Sequence, residues 1–279
     1  MARVAESTFS IALSIAVLVV TTTSPWTSPS DAPVLAPDAV HVWRAPLDVD
    51  DARRARLADV LSPDEHARAA RFRFDRDRRR FVAARGRLRL LLSRYLDQVP
   101  ESIAFAYGTQ GKPSVPSLAF NVSHAGDLAL YAFARSRRVG VDVEPVRPLD
   151  DADRIVDRFF SALETAAYRA LPDAARAAAF VTCWTRKEAF IKALGEGLSH
   201  PLDAFDVTVR ADEPARLLAT RRETVAAAQW AMQAVPVGAG YAATVAADGP
   251  PWHLVCFDVT AFDATYAEAA RSLASDLTP

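Results

Sequence analysis

Cysteine is nearly absent from this sequence of 279 residues: Cys183 and Cys256 are the only two, and neither has a metal-ligand or redox spacing. They read as two core thiols in a reducing compartment. The five histidines make no His-x-x-His or His-Glu-x-x-His pattern, which argues against a zinc centre. Neither charge is in excess. Lys and Arg number 33 against 34 Asp and Glu, a formal net charge of −1, which speaks against bulk nucleic acid as a partner. The apolar run at residues 9–20 is too short for a membrane span of about 20 residues. It has the length of a signal-peptide core, yet Glu6 stands beside Arg3 before it and no Ala-x-Ala site follows. No internal repeat is visible.

What remains is an ordinary soluble composition, 51% hydrophobic and 24% charged, long enough for one large domain or two modest ones. Residues 1–38 read as a disordered N-terminal extension with a Thr/Ser/Pro/Asp-rich linker, without a membrane role. Strands are expected at 40–44, 103–107, 118–123, 128–134, 140–144, 205–209, 229–234, 241–246 and 253–257. Helices are expected at 81–96, 151–160, 162–170, 174–194 and 261–274, with Ser62-Pro63-Asp64-Glu65 opening another and Gly195 closing the one at 174–194. Strands and helices mix throughout, so the fold class is α+β with antiparallel sheets.

Two segments carry chemistry. In Gly140-Val141-Asp142-Val143-Glu144 the valines alternate with the acids, so a strand puts Asp142 and Glu144 on one face and the valines in the core. In Trp184-Thr185-Arg186-Lys187-Glu188-Ala189-Phe190-Ile191-Lys192 the residues Trp184, Glu188 and Lys192 are four apart and share one helix face. Carboxylates gathered closely raise each other's pKa unless a cation lies between them. A hard divalent ion, Mg²⁺ first, is the usual answer, taking its remaining ligands from water and substrate phosphates. The metal set is therefore Asp142, Glu144 and Glu188. Lys187 points about 100° away from Glu188 on a helix, so a surface role is as good a reading as a catalytic one.

These segments sit in an ordered series: Gly111-Lys112-Pro113, Phe120-Asn121-Val122-Ser123-His124, Gly140–Glu144, Arg158-Phe159-Phe160-Ser161 with Glu164, the Trp184–Lys192 helix, then Gly195-Glu196-Gly197-Leu198-Ser199. Over roughly residues 40–258 the series resembles the 4′-phosphopantetheinyl transferases, of the larger monomeric type that activates surfactin and gramicidin synthetases. The resemblance implies two similarly folded halves, 39–139 and 140–258, with the active site between them and a helical tail at 259–279. It implies transfer of the phosphopantetheine arm of coenzyme A to a serine of an apo acyl or peptidyl carrier protein, with release of adenosine 3′,5′-bisphosphate. It carries Lys112, Ser123 and His124 to the phosphates of coenzyme A, and Arg80 and Arg85 to a further phosphate site. Glu188 is assigned as acceptor of the serine proton and Lys192 as neutraliser of charge on the pyrophosphate. A monomer in the cytoplasm follows, with no nucleic acid and no stable membrane association.

Some readings stay open at this point. The arginine-dense stretch 68–89 reads as a solvated helix face, as a coenzyme A phosphate site or, least well, as a nucleic-acid surface. The family often has a lysine where Glu65 stands and a threonine where Phe81 stands, so the 3′-phosphate donors differ here, with Arg68 or Arg80 as substitutes. Trp184 reads as packing, and Phe159 and Phe160 as a patch for a carrier helix or as simple packing. Arg154, Arg158 and Arg186 are placed to steer an acidic carrier. A Mg²⁺-dependent nuclease and a catalytically silent carrier-binding module are the competing functions.

Overall fold

The computed structural model describes residues 26–265, except for 109, 196, 198, 199 and 222–224. The apolar run at 9–20 and most of the expected terminal helix lie outside the described residues. Among the described residues no helix is long and apolar enough to cross a membrane.

In chain order the elements are β1 (Trp26–Thr27), β2 (Ala39–Pro46), α1 (Asp51–Asp59), α2 (Pro63–Ala70), α3 (Asp75–Leu96), β3 (Ala106–Tyr107), β4 (Pro113–Ser114), β5 (Ala119–Ala125), β6 (Leu128–Ala134), β7 (Val139–Pro145), α4 (Ala152–Phe159), α5 (Ala162–Arg169), α6 (Asp173–Leu194), β8 (Phe205–Val207), β9 (Leu217–Thr220), β10 (Trp230–Ala234), β11 (Tyr241–Asp248) and β12 (His253–Asp258). The class is α+β. A five-stranded sheet runs β1-β12-β2-β6-β5 and a three-stranded sheet runs β10-β11-β7. Two-stranded ribbons pair β3 with β4 and β8 with β9.

The larger sheet is mixed rather than purely antiparallel. β12 lies parallel to β2 on one side and to β1 on the other, with Cys256 opposite Val42 and Trp26. The last strand of the expected second half therefore belongs to the first half's sheet. Residues 26–38, expected to belong to a disordered extension, are placed in the fold, because Trp26 has a place to go. Its indole is buried, donates to the Pro236 carbonyl at 2.7 Å and lies under the Arg44 guanidinium. Burying an aromatic of this size offsets the cost of ordering the chain beside it.

α3 packs its apolar stripe, Leu88, Leu91, Leu92 and Tyr95, onto one face of the larger sheet, against Trp43, Tyr131 and Phe133. α6 lies instead on the smaller sheet, against β7 and β11. It stops where Gly195 adopts φ +79°, donating its N–H to the Ile191 carbonyl at 2.9 Å. The expected helix start at Ser62 holds too, with Glu65 reaching back to the Ser62 N–H at 3.1 Å.

Candidate active site

β7 is the axis of the site. Val141 and Val143 are fully buried in the core, which turns Asp142 and Glu144 to the opposite face. α6 crosses that face closely because β7 carries glycine at 140. A Cβ there would stand 2.1 Å from the Ala189 carbonyl oxygen and 2.4 Å from the Ala193 nitrogen. This contact brings Glu188 and Lys192, one helical turn apart, over the strand's acids.

The carboxylate of Asp142 is the most constrained group in the site. Its Oδ1 accepts from the Lys192 Nζ at 2.5 Å and from the Ser123 hydroxyl at 2.8 Å. Its Oδ2 is buried and finds no hydrogen-bond partner among the described residues. Glu144 is held above its ordinary range by burial and by the charge of Asp142, with Glu188 adding to the effect while Lys192 and Arg147 oppose it. Glu188 is raised too, by burial first; Lys192 pulls it down and Asp142 pushes it up. The three acids thus share one field. Among the described residues they do not close into a set of three tight enough to hold a metal ion by themselves, and Lys192 supplies the positive charge beside Asp142.

The residues do fit a hard cation. Carboxylates raised chiefly by burial and further by one another, together with the orphaned buried oxygen of Asp142, are oxygen donors of the kind a hard cation takes.

β5 brings the second group of residues. It is the edge of the larger sheet and β7 the edge of the smaller, and the two edges lie side by side. Ser123 is buried, and its hydroxyl is fully engaged: it donates to Asp142 and accepts from the Val143 N–H at 3.3 Å and from Lys192 at 3.1 Å. In this arrangement Ser123 orients an acid, and its hydroxyl proton is taken by Asp142. Two residues before it, the Asn121 side chain accepts from the Val141 N–H at 2.9 Å. Sequence reasoning assigns Asn121 no role, although its i, i+2 spacing with Ser123 puts both on one strand face.

His124, next along β5, is exposed to a cavity of about 550 Å³ also lined by Arg68, Phe72, Arg80, Phe81 and Arg85. Its imidazole is pushed below the usual range by burial of the ring first, then by Lys192 and Arg80. Arg80 is held on Asp127 at 2.6 Å. Arg85 lies 3.3 Å from Glu65 and stacks over Phe105, while its buried Nη1 has no partner among the described residues. Glu65, where the sequence departs from the family, is a buried anchor that also takes Arg89 at 2.5 Å. His124, Arg80 and Arg85 are therefore brought together.

Lys112 is not with them. Its ammonium reaches the Val139 carbonyl at 3.3 Å and the carbonyl of Lys192, the end of α6 where unpaired carbonyls favour a cation. Burial, with help from Arg138, lowers it to about 8. Lys187 is fully buried rather than on the surface, 2.7 Å from Glu164 and donating to the Leu202 and Phe205 carbonyls. Glu164 in turn caps the Ser161 N–H and accepts from Val207. Arg186 is buried against Thr208 and the Glu213 carbonyl, so it steers nothing. Phe160 is buried and stacked on Phe180, which stacks on Trp184. Phe160 and Phe180 are core, with Trp184 half-buried against them. Trp184 and Glu144 together line a smaller cavity of about 180 Å³.

Comparison of the sequence with known proteins points to one family. A model described as the 4′-phosphopantetheinyl transferase superfamily matches residues 138–246, and one described as 4′-phosphopantetheinyl transferase, N-terminal, matches residues 50–136. The chain is 41% identical over 189 residues to the 4′-phosphopantetheinyl transferase HetI of a Nostoc species, covering 66% of this chain and 79% of that protein. It is 36% identical to psf-1 of Bacillus pumilus, covering 62% of this chain and 75% of that one. It is 33% identical to Sfp of Bacillus subtilis, covering 56% and 70%.

Proposed function

Because this chain belongs to the 4′-phosphopantetheinyl transferase superfamily, we propose that it moves the 4′-phosphopantetheine arm of coenzyme A onto a serine of an apo acyl or peptidyl carrier protein. The serine oxygen forms a bond to the phosphorus that bears pantetheine, and the bond from that phosphorus to the bridging oxygen breaks. The serine proton passes to the enzyme, and adenosine 3′,5′-bisphosphate leaves with the electron pair. The single observation that supports this best is the meeting of Asp142, Glu188 and Lys192 beside a cavity that carries His124, Arg80 and Arg85.

Glu188 is the proton acceptor. Its carboxyl is raised by burial, which brings its basicity nearer to neutral pH, where a general base works best. Lys192 moves its charge from Asp142 toward the pyrophosphate as negative charge builds there. His124, Arg80 and Arg85 receive the phosphates at the adenosine end. Asp142, Glu144 and Glu188 would hold Mg²⁺. When bound, that ion supplies charge neutralisation at the pyrophosphate oxygens. The chain works as a monomer in the cytoplasm, where coenzyme A and carrier proteins meet.

The test is direct. Purified protein with coenzyme A, Mg²⁺ and an apo carrier domain should add the mass of the phosphopantetheine arm to the carrier. Glu188→Gln should cut that turnover by at least about 100-fold, the scale of losing a proton acceptor. Near-normal turnover by this variant removes Glu188 from the role.

A further inference from the structure

The two sheets do not join by a backbone ladder. β5 and β7 run side by side as the edges of different sheets, and side chains of one reach the backbone of the other. The Val141 N–H and the Val143 N–H face away from β11 and would be unpaired on an edge strand, which is costly when buried. Asn121 takes the first and Ser123 the second. Between these two points lies Asp142, whose carboxylate Ser123 also holds. The strand segment that carries the acid is thereby pinned on both sides of it. Asn121 is itself 8% exposed, so water does not substitute freely for its carbonyl.

We propose that Asn121 is a positioning residue for Asp142: its side-chain carbonyl, bound to the Val141 N–H, sets the height of β7 and so the reach of the Asp142 carboxylate toward a divalent cation. The inference rests on the transferase reading above. Asn121 is not among the residues that line the large cavity. It acts through one backbone N–H. Losing it frees β7 to drift from β5, and the Ser123 to Asp142 hydrogen bond lengthens with it. Outer partners of metal ligands commonly control affinity by about 10- to 100-fold.

The experiment compares the full-length protein with Asn121→Leu, which keeps the shape and removes the acceptor, and Asn121→Asp, which restores an accepting oxygen. Mn²⁺ binding is followed by the EPR signal of the free ion, coenzyme A binding by calorimetry, and turnover with an apo carrier. Asn121→Leu should weaken Mn²⁺ binding and lower kcat by at least about tenfold, while coenzyme A affinity stays within about threefold. Asn121→Asp should recover most of the Mn²⁺ binding. On an Asp142→Asn background, Asn121→Leu should cost no further Mn²⁺ affinity, although a purely structural role would lower the melting temperature on either background. Where Asn121→Leu does not fold, Asn121→Ser, too short to reach Val141, replaces it. Unchanged Mn²⁺ binding in the acceptor-less variant, or failure of Asn121→Asp to recover it, overturns the proposal. A wild-type protein that transfers nothing to any carrier instead overturns the transferase reading, so the two failures are separable.

Discussion

His124 is the residue on which the proposed coenzyme A site turns. Its ring stays open to the cavity, and Lys192 and Arg80 disfavour a further positive charge beside them. The neutral imidazole then offers one N–H donor, which suits a phosphate oxygen in the cavity. His124→Ala should weaken coenzyme A by about tenfold, the worth of one hydrogen bond to a charged group, with carrier binding unchanged. Calorimetry with coenzyme A alone measures it, and an unaltered Kd would return His124 to a packing role. That Asp142 shares a face with Glu144, and Glu188 with Lys192, is legible in the residues themselves, since alternation on a strand and a spacing of four on a helix are local rules; the meeting of the two pairs is not local. The surroundings of Lys112, Lys187 and Ser123 are not legible. Each is polar, and which partner it finds is decided by elements far off in sequence: the end of α6 for Lys112, the Glu164 carboxylate for Lys187 and the Asp142 carboxylate for Ser123.

At the level of elements, the close crossing of α6 over β7 does the assembling. Gly140→Ala puts a methyl group 2.1 Å from the Ala189 carbonyl, so helix and strand must part. Overpacking of this kind costs about 1–3 kcal/mol, and the backbone on both sides makes the upper end the expected result. Urea unfolding should show a lower midpoint with an unchanged slope, and a wild-type midpoint would mean that α6 yields without cost. Most of the helices are legible, although α1 is not expected from the sequence. The Gly195 cap marks the end of α6 to the residue, and apolar spacing marks the C-terminal part of α3, whose first residues, Asp75–Arg80, are too charged to show a stripe. Pairing of strands is less so. A parallel neighbour such as β12 for β2 leaves no turn between the two strands, so nothing local announces it.

Across the whole molecule, acid stability depends on a polar cluster inside the larger half. The Trp43 indole donates to the Tyr95 hydroxyl at 2.8 Å, and that hydroxyl sits 2.8 Å from the His41 Nδ1, which must be unprotonated to accept from it. Burial, with His253 adding to it, lowers His41 from 6.5 to about 4. Below pH 6.5 the unfolded chain takes up the proton first, so stability is complete above that pH and falls as the pH drops toward 4. A shift of that size is worth about 3 kcal/mol. Melting temperatures of wild type and His41→Gln across this range should converge as the pH falls; parallel curves would clear His41 of the effect. The same sheet holds the final consequence. β12 is synthesised after everything else in the two sheets, yet it fills the gap between β1 and β2. While the ribosome is still translating the centre of the chain, β2 waits with one side open, and the early portion has no closed sheet to settle into. A nascent polypeptide released before residue 253 is therefore a client for chaperones or proteases, not half of a working enzyme.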